Sequence, residues 1–240
     1  MDETLSRFQQ GLDFQERGLF DLAIQEYTKA LDADPDNLDI MVNLGAAYLQ
    51  KGLPERSIQV LTKALNHQAD HPLALFNLGK AYLYREEGEK ALDVFEKALE
   101  VMPEDLDVKK SVAQCLIMLG RKTEAADLLY PLRAALTSDV VTLILLGHTM
   151  MELNQFTEGL DVFRKAVTAS PDSIEGLDGL IRCQLELDMK DKAMTSLRRA
   201  LMVHPGNPTF NLFMVDHLID QGEIDEGITV LKKALTANPG

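Results

Sequence analysis

The sequence predicts an all-α fold, an α-solenoid of stacked antiparallel helix pairs, on three observations. A 34-residue period runs through the 240-residue chain without insertion or deletion, with copies beginning at Thr4, Leu38, Pro72, Leu106, Val140, Ile174 and Pro208. Each copy holds two apolar-periodic segments parted by a breaker near slot 15, as at Gly18, Gly52, Gly120 and Gly222. Small and large residues alternate in register: slot 20 holds Ala23, Ser57, Ala91, Ala125, Gly159, Ala193 and Gly227, and slot 24 holds Tyr27, Leu61, Phe95, Leu129, Phe163, Leu197 and Leu231. A fixed period of this length marks helical hairpins that bury their apolar faces on their neighbours, an architecture used to bind other macromolecules.

The copies 4–37, 38–71, 72–105, 106–139, 140–173, 174–207 and 208–240 read as one continuous array. In the second, Met41, Leu44, Tyr48 and Leu49 recur at i, i+3, i+7 and i+8, and Ile58, Leu61 and Leu65 at i, i+3 and i+7, so both segments are amphipathic helices. Proline at slot 32 (Pro35, Pro103, Pro171, Pro205, Pro239) cannot continue a helix, and the following Asp36, Asp172 or Asn207 offers a cap or turn for the next. Gly11, Gly45, Gly79 and Gly147 at slot 8 lie inside first helices, where glycine costs about 0.5–1 kcal/mol against alanine. Close approach of the paired helix, through its small slot 20 residue, is the expected compensation. The fourth copy departs: Pro131 falls within a second helix expected over about Thr123 to Leu136, and Leu132 replaces the slot 27 alanine. A kink or break is expected there, with a change of curvature dividing copies 1–3 from copies 5–7.

Gly or small at slot 8, aromatic at 11, Ala at 20, large apolar at 24, Ala at 27 and Pro at 32 are signature positions of the tetratricopeptide repeat family, which the chain resembles over essentially its whole length. The aromatic usual at slot 4 is absent, with Met41 and Leu75 there, and copies 4, 6 and 7 lack the slot 8 glycine. The resemblance implies a right-handed superhelix whose first helices line a groove with slots 2, 5, 6, 9, 12 and 13. Carried over, the groove residues are Asn43, Phe76, Asn77, Lys80, Tyr84, Lys110, Gln114, Met118, Ile144, Leu145, His148, Met151 and Arg182. Its apolar middle would suit an amphipathic helix or extended apolar segment, and Lys80, Lys110, His148 and Arg182 would add positive points for carboxylates. Asn43 and Asn77, at slot 6 of consecutive copies, could both donate to and accept from a peptide backbone. The clamp by which chaperone-binding relatives hold a C-terminal carboxylate is missing: around Asn77 its places are taken by Val42, Ala46, Asp107 and Ser111, and around Asn43 by Phe8, Leu12, Leu73 and Asn77.

The net charge of −14, with −9 over residues 1–120 and −5 over the rest, disfavours nucleic acid, whose phosphates need a concentrated positive face. No apolar run approaches the roughly 18 residues of a membrane span, and the acidic start Met1-Asp2-Glu3 is unlike a secretory leader, so a cytoplasmic protein is expected. Cys115 and Cys183 share slot 10 with Ala47 and Ala81 and read as small core residues. No glycine-rich phosphate loop, His-Glu-x-x-His run or nucleophile elbow is found, and acids such as Glu86, Glu87 and Glu89 read as solvated turns, so neither catalysis nor a cofactor or metal is expected. The expectation is therefore a non-enzymatic scaffold that binds a peptide or protein segment in its groove. Two alternatives stand beside it. The flank around Leu231, Ala234 and Leu235 has no following helix in this sequence, which would allow self-assembly through terminal repeats, or the chain is the interaction arm of a larger, possibly enzymatic, protein.

Overall fold

A computed structural model of the chain describes residues 3–237; Met1, Asp2 and 238–240, including the slot 32 Pro239, lie outside the described residues. Among these the fold is all-α, with fourteen α-helices and no strand. Its two compact units meet in sequence between Ala125 and Ala126. The first holds α1 (Glu3–Glu16), α2 (Phe20–Ala33), α3 (Leu38–Gln50), α4 (Pro54–His67), α5 (Pro72–Tyr84), α6 (Gly88–Val101) and α7 (Leu106–Met118). After α8 (Lys122–Leu129), which spans the boundary, the second holds α9 (Val140–Glu152), α10 (Phe156–Ala169), α11 (Ile174–Glu186), α12 (Lys190–Val203), α13 (Pro208–Asp220) and α14 (Ile224–Ala237).

Each turn from a first to a second helix is made by one residue in the left-handed region. Slot 15 has φ between 72° and 79° at Gly18, Gly52, Gly120 and Gly222, and Glu86, Asn154 and Asp188 adopt φ of 58°, 58° and 54° in the same slot. The slot 16 amide then donates back to the slot 11 carbonyl, as Leu19 to Phe14 and Glu87 to Tyr82, which closes the helix end. Glycine enters this conformation freely, whereas a side chain costs on the order of 1 kcal/mol, most for the glutamate and less for Asn and Asp. The second helices α2, α4, α6, α10 and α12 begin without a side-chain cap hydrogen bond, even where Glu87 or Gln155 stands at the start. The first helices are capped instead, by Asn37, His71, Asp105, Asp139, Ser173 and Asn207, each accepting from the amide three residues on. Of the three residues expected to offer a cap or turn, Asn207 caps α13, while Asp36 and Asp172 lie in the turns one residue before the capping Asn37 and Ser173, and Asp172 accepts from Ser170 Oγ.

The slot 8 glycines do mark close approach, but the contact is with slot 24. A methyl on Gly11, Gly45, Gly79 or Gly147 would lie 2.4–2.7 Å from the side chain of Tyr27, Leu61, Phe95 or Phe163. The small slot 20 residue meets the same turn from another side, as where Ser57 Oγ donates to the Gly45 carbonyl at 2.8 Å. Slots 24 and 27 then face slots 3, 7 and 10 of the next first helix: Tyr27 and Ala30 join Ile40, Leu44 and Ala47 in one core. Cys115 and Cys183 are fully buried in such places, and burial pushes their thiols up to about 12 and about 11. At Pro131 the helix ends: α8 stops at Leu129, and a 3-10 turn over Tyr130–Leu132 replaces the remaining α-helix. Arg133 folds back there, its guanidinium over the Tyr130 ring at 4.0 Å and its Nε donating to Asp161 at 2.7 Å.

Candidate functional site

The predicted groove residues belong to first helices, and each unit presents its own set. In the first unit, Tyr84 at the end of α5 is 63% exposed and Met118 at the end of α7 is 46% exposed. Leu73, at the start of α5, is 58% exposed. Leucine, tyrosine and methionine left in water on neighbouring first helices are the apolar feature of this face. Between them, Phe76 is half-buried, its ring edge-on to Phe95 with centroids 5.9 Å apart, and the Lys80 ammonium lies 5.4 Å above it. Gln114 is exposed, and Asn43, Asn77 and Lys110 are half-buried.

Polar groups on this face are partly spoken for. Asn43 Nδ2 donates to the Asp39 carbonyl at 2.8 Å, leaving its Oδ1 as the acceptor. The Lys110 ammonium sits 2.6 Å from Asp107. The slot rule was also too broad, because Val42 at slot 5 and Leu49 at slot 12 of α3 are buried and cannot touch a ligand. A polar chain escaped the sequence reading: the buried Tyr27 hydroxyl donates to Gln15 Oε1 at 2.7 Å, and Gln15 Nε2 donates to Gln50 Oε1 at 2.7 Å. Burial pushes the Tyr27 phenol up to about 12, so it remains a donor at neutral pH. The signal was available as glutamines at slots 12 and 13 of consecutive copies.

In the second unit Ile144, Leu145, His148 and Met151 on α9 are half-buried. His148 packs its ring edge against Phe163 with centroids 5.3 Å apart, and Met151 rests on the core around Phe163, Leu160 and Leu177. Arg182 is exposed, but its Nε donates to Asp178 at 2.7 Å and its guanidinium lies 5.1 Å over the Phe213 ring. Two of the four expected positive points, Lys110 and Arg182, are thus matched by carboxylates of their own helices, which lessens their pull on an acidic ligand. Glu87 is not a solvated turn residue: half-buried between Arg85 at 2.8 Å and Lys90 at 2.6 Å, its carboxyl is held below the usual range by the Lys90 hydrogen bond first and by the charges around it. Among the described residues no group of three or more His, Cys, Asp or Glu is placed to hold a metal. No helix there is long and apolar enough to cross a membrane.

Helical hairpins with glycine-cradled slot 24 side chains and apolar residues exposed on the first helices define a repeat scaffold. Tetratricopeptide repeat models match residues 15–81, 72–105 and 141–173, more than half of the sequence, and the chain belongs to the tetratricopeptide repeat family. No curated protein matches it significantly in sequence. Among solved structures it is similar to YrrB, described as a tetratricopeptide repeat protein with an unusual peptide-binding site, at 20% identity and a TM-score of 0.69 over 78% of this chain and 96% of that one. It is similar to pilF of Pseudomonas aeruginosa at 16% identity and a TM-score of 0.72, over 90% and 98% of the two chains. A tetratricopeptide repeat protein of Parabacteroides merdae aligns at 17% identity and a TM-score of 0.66 over 99% and 94%. These likenesses concern the fold.

Proposed function

We propose that the chain is a non-enzymatic scaffold of seven tetratricopeptide repeats that binds an apolar or amphipathic protein segment on the exposed side of its first helices. The observation that carries this reading is the exposure of Leu73, Tyr84 and Met118 on α5 and α7, while the slot 24 and slot 27 residues of α4 and α6, Leu61, Ala64, Phe95 and Ala98, are fully buried. Large side chains held out by a packed scaffold offer contact area at little cost in order, and methionine adapts to the shape it meets. Lys80 above Phe76 supplies a charge at the edge of that surface. The family's fold suggests an interaction scaffold, and the peptide-binding site described for YrrB, at 20% identity, supports peptide or protein binding as its use here. In pull-downs from native lysate read by mass spectrometry, Tyr84→Asp with Met118→Asp should remove the captured proteins while circular dichroism stays unchanged. Capture identical to the parent chain would refute this location.

A second reading is favoured by α14, where Ile228 and Leu231 are 45% and 39% exposed and Leu235 is 70% exposed, although slot 24 is buried in every preceding repeat, slot 21 in most, and slot 28 is at least half-buried in each. This stripe would support self-association. Light scattering that gives the monomer mass across a wide concentration range would count against it.

A further inference from the structure

The second unit carries a column of cations on its second helices. Arg164 and Lys165 on α10, Arg198 and Arg199 on α12, and Lys232 and Lys233 on α14 occupy slots 25 and 26 of three successive copies. On α10 and α12 the neighbouring slots 24 and 27, Phe163 and Ala166, Leu197 and Ala200, are fully buried. At about 100° per residue, slots 25 and 26 therefore straddle the direction opposite the core. All six side chains are exposed except the half-buried Lys165, and none has an ion-pair or hydrogen-bond partner among the described residues. The other side chains in that direction, at slots 22 and 29, are Asp161, Thr168, Thr195, Met202, Thr229 and Thr236. The one carboxylate, Asp161, is taken by Arg133. Asp191, Asp225 and Glu226 stand near the helix starts, about two turns or roughly 10 Å away along the axis.

The first unit carries a sparser and mostly matched version of this face, in which Lys97 alone among its lysines has no ion-pair or hydrogen-bond partner among the described residues. On α2, α4 and α6 the same slots hold Thr28 and Lys29, Thr62 and Lys63, and Glu96 and Lys97, one cation per helix instead of two. There Lys29 pairs with Glu26 at 2.7 Å, and Lys63 reaches the Pro35 carbonyl at 2.7 Å. Helix dipoles do not explain the unpaired column, because their effect fades within the last turn and slots 25 and 26 lie four or five residues before the helix ends at Ala169 and Val203. Six unmatched cations in register, on a chain of net charge −14, are thus a concentrated exception to its own electrostatics.

We propose that the outer face of α10, α12 and α14 docks an acidic polypeptide segment, whose carboxylates pair with these cations in succession. Arginine presents a planar fork that takes a carboxylate through two hydrogen bonds, and the flanking threonine hydroxyls, which donate to carbonyls of their own helices, keep lone pairs that accept from a peptide N–H. A short acidic segment fits better than nucleic acid or an anionic bilayer. Their continuous negative charge would also meet the surrounding acids Asp172, Asp188, Asp191 and Glu226, whereas a segment confined to the column avoids them. This site uses none of the first-helix residues and stands independently of the binding surface proposed above.

The test is fluorescence polarisation with a labelled oligoglutamate of about fifteen residues, which at about 3.3 Å per residue is long enough to cross several helices. At about 0.05 M salt the full chain should bind it saturably, and Arg198→Glu with Arg199→Glu should weaken binding about tenfold or more. Arg198→Gln with Arg199→Gln should give a smaller loss, raised salt should abolish binding, and Lys63→Glu and the Tyr84 and Met118 variants should retain it. Circular dichroism verifies folding, and the glutamine pair serves as the readout should the glutamate pair not fold. Oligoglutamate that binds parent and glutamine-pair chains equally would overturn the proposal. So would a single-stranded oligonucleotide or phosphatidylserine vesicles that bind through Arg198 and Arg199 in preference to oligoglutamate.

Discussion

Phe163→Ala is expected to lower the stability of the second unit by about 3–5 kcal/mol, the range for emptying a buried aromatic site. The ring is fully buried and is held from two sides by glycines on different helices. A methyl on Gly147 of α9 would lie 2.6 Å from its Cζ, and one on Gly179 of α11 would lie 2.2 Å from its Cε1 and Cζ. Phe163 therefore joins three helices, and its loss empties a site that neither glycine can refill. Gly179→Ala makes a sharper test because helix propensity alone predicts a gain of about 0.5–1 kcal/mol. The ring cannot yield to the new methyl without being driven onto Gly147, so a net loss of about 1–3 kcal/mol is expected. Combining Gly179→Ala with Phe163→Leu should cost less than the sum of the two, since the smaller side chain frees the space. Urea unfolding followed by circular dichroism gives all these values, and a stabilised Gly179→Ala chain would contradict the clamp.

What could be read from the sequence divides along physical lines. Features dictated by backbone geometry were legible: slot 15 had to turn the chain, Pro131 had to end a helix, and glycine inside helices had to mean a near neighbour. Which neighbour was not legible, because helical spacing fixes a face but not the rotamer that fills it. The spacing points to both the small slot 20 and the large slot 24 residue near slot 8; it is the slot 24 side chains, such as Phe95 and Phe163, that stand nearest the glycines, while slot 20 meets the same turn, as Ser57 does at the Gly45 carbonyl. Gly179 was overlooked because it lies at slot 6 rather than slot 8, and only the stacking of α11 on α10 reveals its use. Asn207 was legible as a cap, whereas Asp36 and Asn37 are chemically alike and only the helix start decides that Asn37 takes the role.

The candidate binding surface was less legible than the fold. Family spacing placed thirteen residues on first helices, but exposure separates them: Tyr84 and Met118 stand in water, while Phe76, His148 and Met151 rest part of their surface on the core. Charge was the harder quantity, because a cation's reach depends on the acids around it. Lys110 and Arg182 looked free in sequence and are paired in space, whereas the cations of α10, α12 and α14 were passed over and are unpaired.

Acid should weaken the first unit through Glu26. This carboxylate on α2 is buried apart from 8% of its surface, yet it meets Lys29 Nζ at 2.7 Å and Arg7 Nη1 at 3.1 Å, and Arg7 in turn holds Glu3 on α1. The Lys29 hydrogen bond is the main cause holding the Glu26 carboxyl below its ordinary value of 4.5; burial opposes it, and the Arg7 bond and both charges add to it. Because the folded value lies below the unfolded one, the stabilisation is complete above about pH 4.5 and disappears as pH falls through the folded value. Glu26→Gln should therefore cost about 1–2 kcal/mol at neutral pH, the scale of a lost charge-assisted hydrogen bond in a partly exposed network. Its deficit should shrink toward zero as the parent chain is acidified. Glu87 and Glu124, also held low by cations, add to the acid sensitivity of the parent but are present in both proteins and cancel from the difference. Unfolding midpoints measured from neutral pH down to about pH 3 separate the cases: a deficit that stays constant across the series would mean that shape, not charge, sets the contribution of Glu26.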